Sequence, residues 1–147
     1  KTPGAVMVII NAYGINAMTI DTALECKKRG VTTIAVTSSS FAEIVPPGSK
    51  SRHPSGKNLY ELADIYIDNH LPLGDAVVTV GGYDQNVCST STFCNCFVMN
   101  CLTEEVVAEM LHRGIEPPVF MSANMPGGDA HNRALAEKYG GIIKHLL

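Results

Sequence analysis

Two uninterrupted apolar runs on either side of one helix-length segment constrain this chain more than any other feature. Residues 5–10 read Ala-Val-Met-Val-Ile-Ile and residues 31–36 read Val-Thr-Thr-Ile-Ala-Val. A strand with no polar alternation is the kind that parallel sheets cover on both faces. Between the runs, residues 11–16 (Asn-Ala-Tyr-Gly-Ile-Asn) form a turn and residues 17–29 a helix. That helix carries Ile20, Ala23, Leu24 and Lys27 in helical register, cations in its last turn, and Gly30 at its end. Two parallel strands joined by such a helix make a right-handed βαβ crossover. Ligands of open α/β sheets bind at the carboxyl ends of the strands, so the loops at 11–16 and 37–40 are expected side by side at one rim.

The rest of the chain extends this plan. A turn of helix is expected over 41–45, a polar loop over 49–57, a short helix over 58–62 and a third strand over 65–67. A fourth strand over 76–80 is short or at an edge, and 87–91 is a second hydroxyl-rich loop. A long helix covers 92–112; its first half is apolar all round and therefore expected to be buried between the sheet and something else, such as another subunit. A last helix covers 131–139, and 142–147 is a hydrophobic tail. With 147 residues the chain suits one domain. Because it starts on a lysine three residues before a core strand, upstream sequence is expected.

Charge and cysteine content narrow the function classes. A net charge of -3 disfavours nucleic acid. No run approaches the ~20 apolar residues of a membrane helix. Five cysteines, an odd number without finger-like histidine spacing, read as buried thiols of a cytoplasmic protein rather than disulfides or a metal centre. No cofactor is expected.

The candidate ligand groups cluster in the loops. Thr37, Ser38, Ser39 and Ser40 offer hydroxyls and turn N–H groups to an oxyanion, and Ser89 and Thr90 repeat the pattern. Gly14 allows close backbone approach, while Asn11 and Asn16 offer amides. Arg52, His53, Ser55 and Lys57 bring cations and a titratable ring to one loop. His131, two residues after Asp129, suits a general acid or base at a helix start. None of these matches a Walker loop, a dinucleotide fingerprint or a nucleophile elbow.

Several strings together resemble SIS (sugar isomerase) domains. They are residues 6–38, Ser-Arg-His-Pro-Ser-Gly-Lys at 51–57, Leu59-Tyr60, Ala63-Asp64 and Gly74-Asp75-Ala76. Gly-Gly-Asp-Ala-His-Asn at 127–132 points to a phosphosugar-binding branch related to phosphoheptose isomerases and N-acetylmuramic acid 6-phosphate etherases. The resemblance implies a flavodoxin-like three-layer α/β/α sandwich with a mainly parallel sheet, lacking its N-terminal helix and strand here. It also implies a homodimer or higher oligomer that holds a sugar phosphate. His53 and His131 become the catalytic candidates of a sugar-phosphate isomerase or lyase; Asn11, Gly14, Asn16, Thr37, Ser38, Ser39, Ser40, Ser55, Lys57, Ser89 and Thr90 become the binders. The family's Ser-x-Ser-Gly phosphate loop reads Asn11-Ala12-Tyr13-Gly14 here. This keeps open a degenerate, non-catalytic module that senses a sugar phosphate or mediates dimerisation.

Overall fold

The computed structural model describes residues 4–143. It divides into two compact units, residues 1–102 and 103–147, with the helix Ser91–His112 running through the division. The expected tail over 142–147 lies largely outside the described residues.

In the first unit, β1 (Val6–Ile10), β2 (Thr32–Thr37) and β3 (Ile65–Asp68) form one sheet in the order β1-β2-β3, all parallel. The fold class is thus α/β with a mainly parallel sheet, as the apolar runs require. Helix α1 (Ala17–Arg29) makes the crossover. Asn16 caps it by accepting the Thr19 N–H at 2.9 Å, and Gly30, at φ 63°, ends it. The core joins Ile9, Ile20, Ala23, Ala35, Leu59 and Leu62. Cys26, not Lys27, completes the buried stripe of α1; Lys27 is exposed.

Burial differs from strand to strand. Central β2 is buried at Thr33 and from Ala35 to Thr37, whereas Val6, Ile10 and Ile65 on the flanking strands stay exposed. A neighbour on each side shields β2, and the outer strands have one each.

Helices α2 (Ser39–Ile44) and α3 (Leu59–Leu62) follow the second strand. Asn58 and Glu61 form a capping box on α3. The expected fourth strand is β4 (Ala76–Val78), which leaves the parallel sheet and pairs antiparallel with β5 (Val87–Ser89). Residues expected as loop are therefore a strand, because the turn at 79–86, with Gly81-Gly82, lets the chain fold back.

Helix α4 (Ser91–His112) contains no buried residue among those described, so the expected burial of its apolar half is not met within the chain. Of the cysteines, all free, only Cys26 is buried; Cys88, Cys96 and Cys101 are exposed. The second unit carries the end of α4 and helix α5 (Gly128–Tyr139). No helix among the described residues is long and apolar enough to cross a membrane.

Candidate functional site

The carboxyl ends of β1 and β2 meet through backbone bonds. Asn11 N donates to Val36 O at 3.0 Å and Ser38 N to Ala12 O at 3.1 Å, so the two crossover loops lie side by side. The polar loop and α3 are joined to the first of them. His53 N donates to Ile15 O at 2.7 Å and Leu59 N to Gly14 O at 2.8 Å. Gly14 is the pivot of this junction. At φ 59°, a Cβ there would sit 2.7 Å from Thr37 Oγ1 and 2.8 Å from Leu59 Cβ.

The hydroxyls of the second loop have unequal fates. Thr37 is fully buried, and its Oγ1 has no hydrogen-bond partner among the described residues. Ser38 is equally buried but donates to Leu71 O at 3.0 Å. Ser39 donates from Oγ to Asp68 Oδ2 at 2.9 Å and from its N–H to the Tyr66 hydroxyl at 3.2 Å. Ser40 is exposed in the first turn of α2.

In the first loop, Asn11 Oδ1 accepts the N–H groups of Tyr13 (3.2 Å) and Gly14 (2.8 Å). The turn's donors are thereby used by its own first residue, and Asn16 serves α1. The Tyr13 ring stacks on Phe41 of α2 with centroids 3.6 Å apart. Burial, then the charge of Asp75, pushes the Tyr13 phenol up.

Half-buried Arg52 spends its guanidinium within the chain. It donates to the carbonyls of Ala42, Val45 and Gly56 and to Asn58 Oδ1, holding the polar loop to the end of α2. His53 Nδ1 accepts the Ser55 N–H at 3.1 Å and lies 2.7 Å from Ser55 Oγ. Accepting an N–H requires a bare Nδ1, so the neutral ring carries its proton on Nε2, which faces Asp21 Oδ1 at 3.3 Å. Both ring nitrogens are thus engaged. Ser55 Oγ accepts the Lys57 N–H at 3.3 Å, and Lys57 is exposed.

A carboxylate already fills the second hydroxyl cluster. Asp75 Oδ1 accepts Ser89 Oγ (2.5 Å), Thr90 N (2.6 Å) and Ser91 N (3.1 Å), while Thr90 Oγ1 donates to Asp75 O at 2.8 Å. Asp75 caps α4 from another segment. Burial works to raise its pKa, but bonds from Ser89, Ser91 and Thr90 outweigh it and hold the carboxyl below its ordinary value.

In the second unit, His131 Nε2 donates to Val119 O at 2.9 Å. Asn132 accepts Met121 N at 2.9 Å and donates to Met121 O at 2.8 Å. A Cβ on Gly128 would lie 2.3 Å from Ser122 O. The Gly-Gly-Asp-Ala-His-Asn string therefore ties α5 to residues 119–122.

Sequence reasoning missed Asp68, Tyr66 and Asp75, although Asp68 ends a strand at the carboxyl rim of the sheet. Asp68 also receives His70 N at 2.8 Å. Burial opposes its ionisation, but bonds from Tyr66, His70 and Ser39 prevail and lower its pKa. No group of three or more His, Cys, Asp or Glu among the described residues is placed to hold a metal.

A mainly parallel α/β sheet with loops joined at its carboxyl rim defines the class, and comparison narrows it. Residues 1–38 match the family model described as the SIS domain. Nearly the whole chain is similar to UPF0309 proteins. It is 42% identical to that of Geobacillus thermodenitrificans over 97% of this chain and 55% of the relative. The figures are 38%, 97% and 57% for Caldanaerobacter subterraneus, and 36%, 98% and 57% for Listeria monocytogenes. Together these findings support a SIS-domain protein similar to the UPF0309 proteins. It spans about half the length of the curated relatives it matches.

Proposed function

We propose that this chain binds a sugar phosphate at the rim where residues 11–16 and 37–40 meet. The observation that supports this most is the Thr37 hydroxyl. Among the described residues it is a buried polar group without a partner, beside Gly14, whose missing side chain lets the two loops close. Leaving such a group unsatisfied costs about 1–3 kcal/mol. A ligand oxygen reaching it as the loops part would recover that cost.

Two readings of activity differ here. In the first, the chain is a sugar-phosphate isomerase or lyase that uses His53 and His131. In the second it is a non-catalytic sensor, and the engaged ring nitrogens of His53 together with the self-filled turn at Asn11 favour it. Both readings take the protein as cytoplasmic. Val106 and Leu111, exposed on α4, support self-association, which sedimentation measures.

The test is a thermal-shift panel of sugar phosphates on wild type and Thr37→Val. A ligand at 100 times its dissociation constant adds ~2.7 kcal/mol to wild type. Thr37→Val, which replaces an unsatisfied hydroxyl with a methyl, keeps or slightly raises the stability of the free protein and weakens the ligand's effect. Absence of any shift in wild type refutes the reading.

A further inference from the structure

A cleft of 490 Å³ opens at the carboxyl end of β3, lined by Asp68, His70, Phe93, Cys94, Phe97 and Val98. Its size falls within the range of small-molecule sites, and its position is where parallel sheets bind ligands. Asp68 links this cleft to the rim described above, being register-paired with Thr37 and bonded to Ser39.

The lining divides by chemistry. On one side Phe93 and Phe97, one helical turn apart on α4, are 75% and 69% exposed, so their ring faces are largely unpartnered. On the other side stand a carboxylate and an imidazole. His70 takes φ 52°, a conformation rare for a side-chain-bearing residue and concentrated at functional sites. Its N–H is spent on Asp68 Oδ1, and its ring lies with Nδ1 3.9 Å from that same oxygen. Buried Asn69 supports the turn, accepting Leu71 N at 3.2 Å and donating to Asn95 Oδ1 of α4 at 2.9 Å. That second bond fixes the start of α4 to the end of β3 and so sets the cleft's width.

We infer that this cleft seats the uncharged polyol end of the ligand, with Asp68 and His70 contacting its hydroxyls and Phe93 and Phe97 its C–H faces. The inference rests on the sugar-phosphate reading of the neighbouring rim. A carboxylate accepts hydroxyl protons and repels phosphate, so the pair selects the neutral part of the molecule and leaves the anionic part to the rim. An imidazole beside it donates or accepts as a hydroxyl requires. Aromatic faces suit the C–H side of a sugar ring, whereas a wholly polar wall would not.

Calorimetry on the full chain with inorganic phosphate and with a panel of hexose and pentose phosphates tests this, alongside His70→Gln and Phe97→Ala. The inference expects a hexose or pentose phosphate to bind wild type at least tenfold more tightly than inorganic phosphate. Each variant then loses about tenfold for the sugar phosphate and nothing for inorganic phosphate. Both positions are exposed, so the variants fold; their melting temperatures verify it. Equal sugar-phosphate affinity in wild type and both variants overturns the inference and leaves the rim reading intact. If no phosphate compound binds, NMR shifts at Phe93, Phe97 and His70 on adding the unphosphorylated sugars decide. Shifts confined to the cleft refute the rim reading, and with it this inference as a sugar-phosphate subsite, and leave only a neutral-sugar site; their absence refutes both.

Discussion

Residues 37–40 and residues 89–91 are nearly the same in composition and differ in what meets them. The first group ends the central strand of a parallel sheet, so its backbone is locked to Ala12 and the hydroxyls of Thr37 and Ser38 are drawn inward; that of Thr37 has no partner among the described residues. The second follows an outlying hairpin strand and meets the Asp75 carboxylate, which takes its N–H groups and a hydroxyl together. Both resemble an anion cradle on paper. Among the described residues only the first has a buried unsatisfied side chain, and the second already holds its own anion.

Three substitutions test that contrast, beginning with the largest effect. Gly14→Ala drives a methyl against Thr37 Oγ1 and Leu59 at a positive φ. Left-handed strain and overpacking together predict a loss of about 2–4 kcal/mol in denaturant unfolding. A neutral outcome would mean that Gly14 does not pack tightly against Thr37 and Leu59 in solution.

Arg52→Ala comes next. It leaves three carbonyls and the Asn58 side chain without their shared donor and is expected to cost about 2–3 kcal/mol, with Arg52→Lys restoring little of it. A lysine that rescues fully would return this loop to the role of a solvated cationic patch.

Asp75→Asn is the smallest. Asparagine tolerates the φ of 68° and keeps an acceptor oxygen but loses the charge, for about 0.5–1 kcal/mol at neutral pH, screened by solvent. The sign follows from the lowered pKa of Asp75 in the folded protein. Its contribution is complete above the unfolded carboxylate value near 3.9 and disappears as pH falls through the folded one. The gap between wild type and variant should therefore close below about pH 4 in urea melts. A gap that persists in acid would show that the charge does not hold the cluster.

How much was readable in advance varied with the range of the interaction. Helix α1 matched its expected limits because Asn16, the three terminal cations and Gly30 act within a few residues of one another. The parallel sheet followed from residues 5–10 and 31–36, whose lack of polar alternation leaves few other arrangements. Lys27 was misassigned to the buried stripe because helical spacing serves Cys26 nearly as well. The strand at 87–89 was hidden by its hydroxyls and cysteine, and only pairing with β4 makes it a strand.

For the site, the residue types at the rim were visible as a list, but their assignments were not. Arg52 looked like a phosphate ligand and instead serves carbonyls. Ser38 looked available and is buried against Leu71 O. Asp68 and His70 carried no motif at all.

Local order here was set by neighbours along the chain, since caps, cations and apolar periods need no distant partner. Which hydroxyl is spent, which is stranded and which acid stands beside it depended on atoms brought together from 15 to 33 positions apart. Hydrogen bonds act only at contact, so those choices were made when the strands and loops were assembled in space.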